Sequence, residues 1–179
     1  MKTLYIIRHS KATGQEVEAE LTDEGKVQSL HLSEFLSTYN IQRIISSHYK
    51  RAVDTIRPYS EANGIRLEVD RRLGERILSP TDYPGWLEFL EESFHDFSLA
   101  LEGGESSEEA SDRVKSLIDE LIISNEEHIV LVTHGNLATL ILRLFDKQYG
   151  FEEWKEMTNP DVYAIQLTSS KVSRIWQTS

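Results

Sequence analysis

Two histidines stand at matching places in the chain. The apolar run Leu4-Tyr5-Ile6-Ile7 ends in Arg8-His9, and the run Ile129-Val130-Leu131-Val132 ends in Thr133-His134-Gly135. Each run reads as a buried strand that delivers a histidine at its carboxyl end, and in an open α/β sheet those ends line the ligand crevice. An imidazole with a neutral ring nitrogen can attack phosphorus, and a guanidinium fork beside it can hold the phosphoryl oxygens. The combination points to chemistry on an anion, with phosphate the foremost candidate. An isolated Arg-His dipeptide is more readily a surface arginine beside a core histidine; the repetition at two strand ends lifts the reading above that.

Two further segments belong with these. In Ser46-Ser47-His48-Tyr49-Lys50-Arg51-Ala52 a short strand ends, small polar residues turn, and a helix begins with Arg51 in its first turn. A cation there opposes the helix dipole, and a bound anion would remove the conflict because backbone donors and Arg51 would serve the same ligand. Alone, Arg51 is a solvated arginine. In Leu73-Gly74-Glu75-Arg76 a carboxyl group follows the third strand. Beside a bound phosphate such a group favours its protonated form and can act as a general acid; alone, Glu75 and Arg76 are an ordinary surface pair. Gly135, opening a helix after His134, lets backbone approach a ligand closely. The alternative for His134 is a satisfied histidine capping that helix.

The elements that must position these residues are readable from periodicity. Strands are expected at 3–7, 43–46, 65–69 and 129–133. A helix opens at Leu21-Thr22-Asp23-Glu24-Gly25 with Thr22 as N-cap, carrying the stripe Leu32, Phe35, Leu36, Tyr39. A second carries Ala52, Ile56 and Tyr59 and stops near Asn63-Gly64, with Pro58 expected to kink it. Ser106 with Glu109 forms a capping-box pattern ahead of Ala110, Val114, Leu117, Ile118 and Leu121. Another helix opens at Gly135 with Leu137, Leu140, Ile141 and Leu144 on one face. Residues 162–165 and 172–176 form a terminal hairpin turning at Ser169-Ser170. The irregular stretch 70–105, with a helix over roughly 83–97 and Gly103-Gly104 at its close, reads as a cap insert over the crevice. Strand and helix alternate, which predicts an α/β fold: a three-layer, open, mostly parallel sheet with helices on both faces.

Composition narrows the function classes. The 179 residues suit one domain, and the net charge of -11 disfavours nucleic acid or an anionic membrane as partner. The chain has no cysteine, so disulfides, thiolate metal sites and cysteine nucleophiles are excluded. No signal-peptide pattern opens the sequence and no apolar run is long enough to span a bilayer, so a cytoplasmic setting is expected. His31, His95 and His128 read as surface or helix-face residues, and Glu16, Glu18 and Glu20 as a solvated loop. Trp86, Phe89 and Phe94 read as core of the insert, and Trp154 as packing on the terminal hairpin.

Taken together, Arg8-His9, Leu21-Thr22-Asp23-Glu24-Gly25, Ser46-Ser47 with Arg51-Ala52, Glu75, Gly103-Gly104-Glu105-Ser106 and Val132-Thr133-His134-Gly135 resemble the histidine phosphatase superfamily, the phosphoglycerate-mutase-like enzymes, over most of the chain. The resemblance implies a single histidine phosphatase domain over 1–179. It implies a phosphomonoester hydrolase in which His9 is transiently phosphorylated, Arg8, Arg51 and His134, with Gly135, bind the phosphoryl group, and Glu75 donates the proton. It implies a small phosphorylated substrate and no cofactor or metal, the arginines taking the part of a divalent cation. Ser10 stands where the family usually has glycine, and His48 where proline is common. Ser10, Gly14 and Gln15 are the candidate substrate contacts in the loop that follows. Mutases of the family carry longer inserts and a tail that exclude water, so the short chain points to hydrolysis. A mutase, a protein phosphohistidine phosphatase and a silent phospho-ligand binder are the alternatives. The substrate and the oligomeric state are not legible.

Overall fold

The computed structural model describes residues 1–177; residues 178–179, the end of the expected domain span, lie outside the described residues. Six strands form one sheet in the order β3-β2-β4-β1-β5-β6. The strands are β1 (Thr3–Arg8), β2 (Arg43–Ser46), β3 (Leu67–Val69), β4 (His128–Thr133), β5 (Asp161–Gln166) and β6 (Lys171–Arg174). The pairings β1–β4, β2–β4 and β2–β3 are parallel, while β5 and β6 are added antiparallel at the β1 edge. The fold is the expected α/β class with a mostly parallel sheet.

Both central strands are apolar through their middle residues because both their faces are covered. Leu4 and Ile6 of β1, with Ile129 and Leu131 of β4, join one core cluster; Tyr5 and Ile7, with Val130 and Val132, join the other. The second cluster is closed by α1 (Asp23–Leu36) and α2 (Lys50–Asn63) through Leu32, Leu36, Ala52, Ile56 and Tyr59. The first is closed by α4 (Ser107–Ile122) and α5 (Gly135–Phe145) through Val114, Leu117, Ile118, Leu121, Leu140 and Ile141. Each such fully buried aliphatic side chain is worth about 1.5–3 kcal/mol over exposure.

The helix ends follow the sequence signals. Thr22 Oγ1 accepts from Gly25 N at 2.9 Å. Ser106 and Glu109 bond reciprocally in the capping box, at 3.0 and 3.1 Å. Helix α2 ends at Asn63 with Gly64 at φ 63°, a left-handed cap that suits glycine. The hairpin turns at Ser169-Ser170, with Ser170 at φ 59°.

Five expectations need correction. Helix α5 is buried around its first two turns, not on one face, while Leu144 is 41% exposed. Its small residues explain this: Thr139 satisfies its own hydroxyl on Gly135 O at 2.8 Å and so tolerates burial. Strand β3 has only three residues, and Tyr39 lies beyond the end of α1. The helix expected over 83–97 is the shorter α3 (Trp86–Ser93). An unforeseen helix, α6 (Phe151–Glu156), carries Trp154 away from the hairpin to stack on Phe151 and meet Trp86 edge to face. Trp176 packs on Phe35 instead. No helix among the described residues is long and apolar enough to cross a membrane.

Candidate active site

Strands β1 and β4 lie side by side in parallel register, Arg8 opposite Thr133. The residues just past their ends are therefore neighbours, and the His9 and His134 rings sit 5.1 Å apart, edge to face. Both are buried, at 8% and 1% exposure. His9 Nδ1 lies 2.6 Å from Ser10 O. A carbonyl only accepts, so Nδ1 carries the proton and Nε2 presents a lone pair. That lone pair accepts from Arg51 Nε at 3.2 Å. Burial, reinforced by Arg51 and Arg8 and opposed by the Ser10 carbonyl, pushes the His9 pKa down to about 3. The imidazole is neutral over the physiological range. The backbone around it is fixed as well: His9 N donates to Thr133 O at 3.1 Å, and Asn159 Nδ2 donates to His9 O at 2.9 Å.

Arg51 is almost wholly buried at the start of α2. Its Nη1 donates to Gln15 O and Glu16 O at 3.1 and 2.8 Å, and its guanidinium lies 4.8 Å from the Tyr49 ring centroid. Arg8 Nη1 donates to Met157 O at 3.1 Å, while its buried Nε has no partner. Gly135 makes room for this arginine: a Cβ there would stand 3.1 Å from Arg8 Cζ and from Trp154 Nε1. His134 Nε2 lies 2.8 Å from Ser47 Oγ, which also accepts from Tyr49 N at 3.2 Å. Its buried Nδ1 has no partner. Burial first, then His9 and Arg51, hold His134 well below the usual histidine range.

Glu75 reaches the same place from the other side. Its Oε2 accepts from Asn136 N at 3.0 Å, and its Oε1 from Leu137 N and Arg76 N, both at 2.9 Å. A carboxylate bonded to the first N–H groups of α5 sits at the positive end of that helix, one residue past His134.

These groups border a cavity of about 660 Å³. Arg8, Gln15, Arg51 and Glu75 line it; His9 touches the lining through Arg51 and His134 through Tyr49. Besides the two histidines, three more of the expected contacts fall outside the lining. Ser10 is buried, with Oγ 3.0 Å from Ser29 Oγ and its N–H donating to Thr55 Oγ1 at 2.9 Å, so its side chain faces the α1–α2 layer. Gly14 and Gly135 do not line the cavity either. His48 is half-buried against Gly74, with Nδ1 unpartnered. Among the described residues no group of three or more metal-binding side chains comes together, Glu16, Glu18 and Glu20 included.

Sequence reading missed part of the lining. Arg76 is no surface residue: it is buried, its Nε donating to Glu105 O at 3.1 Å and its Nη1 to Ser93 Oγ at 2.8 Å, with Nη2 unpartnered. Tyr49, Trp86, Asn136 and Trp154 also face the cavity. Position was the only available signal for Tyr49 and Asn136, each within two residues of a motif residue. Segment 76–78 is tied down by Glu105 N donating to Ile77 O at 2.7 Å, and a Cβ on Gly104 would collide with the Leu78 carbonyl. That close approach is why glycine precedes Glu105.

Comparison with known proteins shows the family and its fold. Residues 4–177 match the family described as the histidine phosphatase superfamily (branch 1). A glucosyl-3-phosphoglycerate phosphatase of Mycobacterium tuberculosis is 30% identical over 171 residues, covering 78% of this chain and 73% of that protein. A Hydrogenobacter thermophilus protein with the provisional name phosphoserine phosphatase 2 is 29% identical over 195 residues, covering 98% and 95%. The structure of a mycobacterial glucosyl-3-phosphoglycerate phosphatase with inorganic phosphate superposes with a TM-score of 0.80 at 26% identity, covering 100% of this chain and 98% of that one.

Proposed function

The chain belongs to the histidine phosphatase superfamily, and on that premise we propose that it hydrolyses phosphate monoesters of small molecules through a transient phosphohistidine on His9. The observation that carries the reading is the bare Nε2 of a neutral His9, its tautomer fixed by the Ser10 carbonyl and its lone pair met by Arg51. The phosphoryl group binds against Arg8 and Arg51, displacing the Arg51 Nε–His9 Nε2 bond. Nε2 attacks phosphorus, the P–O bond to the leaving group breaks, and Glu75 gives its proton to the departing alkoxide. Water then attacks the phosphohistidine, passes a proton to Glu75, and the P–N bond breaks to release phosphate. Guanidinium donors aimed at the equatorial oxygens supply the largest stabilisation.

His134 completes the cradle. In this reading the Ser47 hydroxyl, which accepts from Tyr49 N, gives its own proton to His134 Nε2. His134 then bears its proton on the unpartnered Nδ1 and donates it to a phosphoryl oxygen. Glu75 Oε2 has a single donor and is the oxygen with room for a proton. Residues 70–105 act as the cap, a role supported by Arg76, Ile77, Leu78 and Trp86 in the cavity wall. The arginines do the charge neutralisation, so the reaction runs without a metal.

The test is turnover of p-nitrophenyl phosphate with acid-labile phosphoenzyme trapping, with and without EDTA. Wild-type protein releases phosphate, traps label and ignores the chelator; His9→Ala does neither. Near wild-type turnover by His9→Ala removes the nucleophile assignment, and loss of activity in EDTA removes the metal-free mechanism.

A further inference from the structure

Four side chains of the site close a circuit. Arg51 Nε donates to His9 Nε2 at 3.2 Å, and the His9 ring stands 5.1 Å from the His134 ring at 62°. The His134 ring in turn stands 4.6 Å from the Tyr49 ring at 64°, and the face of the Tyr49 ring lies 4.8 Å from the Arg51 guanidinium. Arg51, His9 and His134 all have a part in the chemistry proposed above, and Tyr49 has none. The Tyr49 ring is nevertheless well fixed. Its residue is the N-cap of α2, with N donating to Ser47 Oγ at 3.2 Å and the carbonyl accepting from Ala52 N and Val53 N at 3.0 and 3.2 Å. The His48 ring packs on it edge to face at 4.8 Å.

We propose that Tyr49 is a positioning residue for phosphoryl transfer, its ring keeping Arg51 and His134 aimed at the same phosphoryl group; the proposal rests on the hydrolase reading above. In the free protein Arg51 has three restraints: His9 through Nε, the carbonyls of Gln15 and Glu16 through Nη1, and the Tyr49 face. The incoming phosphoryl group takes the place of the first. Nη1 is then a pivot about which the guanidinium plane can turn, and the ring face opposes that turn. An aromatic face attracts a guanidinium, and its edge-to-face contact with an imidazole is favourable as well. A leucine or methionine fills much of the same space and offers neither attraction. The restraint counts most while charge builds on the equatorial oxygens, because a fork that drifts then loses transition-state stabilisation. Tyr49 also lines the cavity. A residue that served only as wall would act on the leaving group, and esters with different leaving groups would feel its loss unequally.

The experiment measures kcat and KM separately for glycerol 3-phosphate, phosphoserine and p-nitrophenyl phosphate in wild type, Tyr49→Phe, Tyr49→Leu and Tyr49→Met. Tyr49 is half-buried, so these replacements spare the core. Tyr49→Phe keeps the ring and should hold kcat within about twofold of wild type. Tyr49→Leu and Tyr49→Met should each lower kcat about tenfold or more, by the same factor on all three esters. Their KM should change by less than about threefold, the mark of an interaction felt mainly in the transition state. A double-mutant cycle reads the route of the effect: in an Arg51→Gln background Tyr49→Leu should cost less than about threefold, because the guanidinium that the ring steadies is gone. Near wild-type kcat in both aliphatic variants, a loss in Tyr49→Phe equal to theirs, losses that differ between esters, or full additivity with Arg51→Gln each overturns the positioning role while leaving the hydrolase reading intact. A wild type that turns over none of the three esters overturns the hydrolase reading, and the part of Tyr49 with it.

Discussion

Replacing His9 with glutamine tests whether the nucleophile is neutral in the fold, without any catalytic assay. An unfolded histidine titrates near 6.5, whereas burial and two arginines hold His9 at about 3. Between those values the unfolded chain binds a proton that the folded protein refuses. Stability contributed at this position is therefore complete above pH 6.5 and is lost as pH falls toward 3. At pH 5.5, one unit below the unfolded value, the loss is about 1.4 kcal/mol, and at pH 4.5 it is about 2.7 kcal/mol. The second figure requires only that the folded pKa lie well below 4.5. His9→Gln removes this term and leaves the other titrating groups, His134 included, in both proteins. Urea unfolding at pH 7.0, 5.5 and 4.5 should show the wild type losing more stability than the variant by those two amounts. Parallel losses in the two proteins would mean that His9 takes up a proton while folded, and the case for a bare Nε2 at working pH would fall.

Three other outcomes are expected. Arg51→Lys keeps a charge but loses the fork that spans His9 Nε2 and two backbone carbonyls; kcat should fall about 10²–10³-fold on every ester alike, read by phosphate release. Glu75→Gln should lower kcat for alkyl phosphates by about 10²-fold or more and for p-nitrophenyl phosphate by less than about tenfold, because nitrophenolate leaves without a proton. Ser106→Ala breaks the capping box of α4 and should reduce urea stability by about 1 kcal/mol with kcat unchanged.

The parts of the molecule legible in the sequence are those governed by local rules. Buried strands announce themselves as apolar runs, and Thr22, Ser106 and Gly64 mark helix ends because capping is a matter of neighbours a few residues apart. The candidate site residues were legible because each ends a strand or follows one within a few residues, where topology brings distant segments together. What stayed hidden depends on distant partners. Arg76 reads as a surface ion pair until Ser93 and Glu105 arrive around it. Helix α6 is too short to show a period, so Trp154 could not be carried from the hairpin to the cavity. Ser10 looked like an intrusion into a substrate loop, and only the packing of α1 on α2 shows its hydroxyl facing Ser29.

That last arrangement separates two jobs usually thought to compete at one position. The lock on the imidazole comes from the main chain of residue 10, which every amino acid possesses, whereas the side chain of residue 10 answers to the helical layer behind. Evolution, or an engineer, is thus free to retune that layer through position 10 while the reacting nitrogen keeps its aim, provided the newcomer fits the small space beside Ser29.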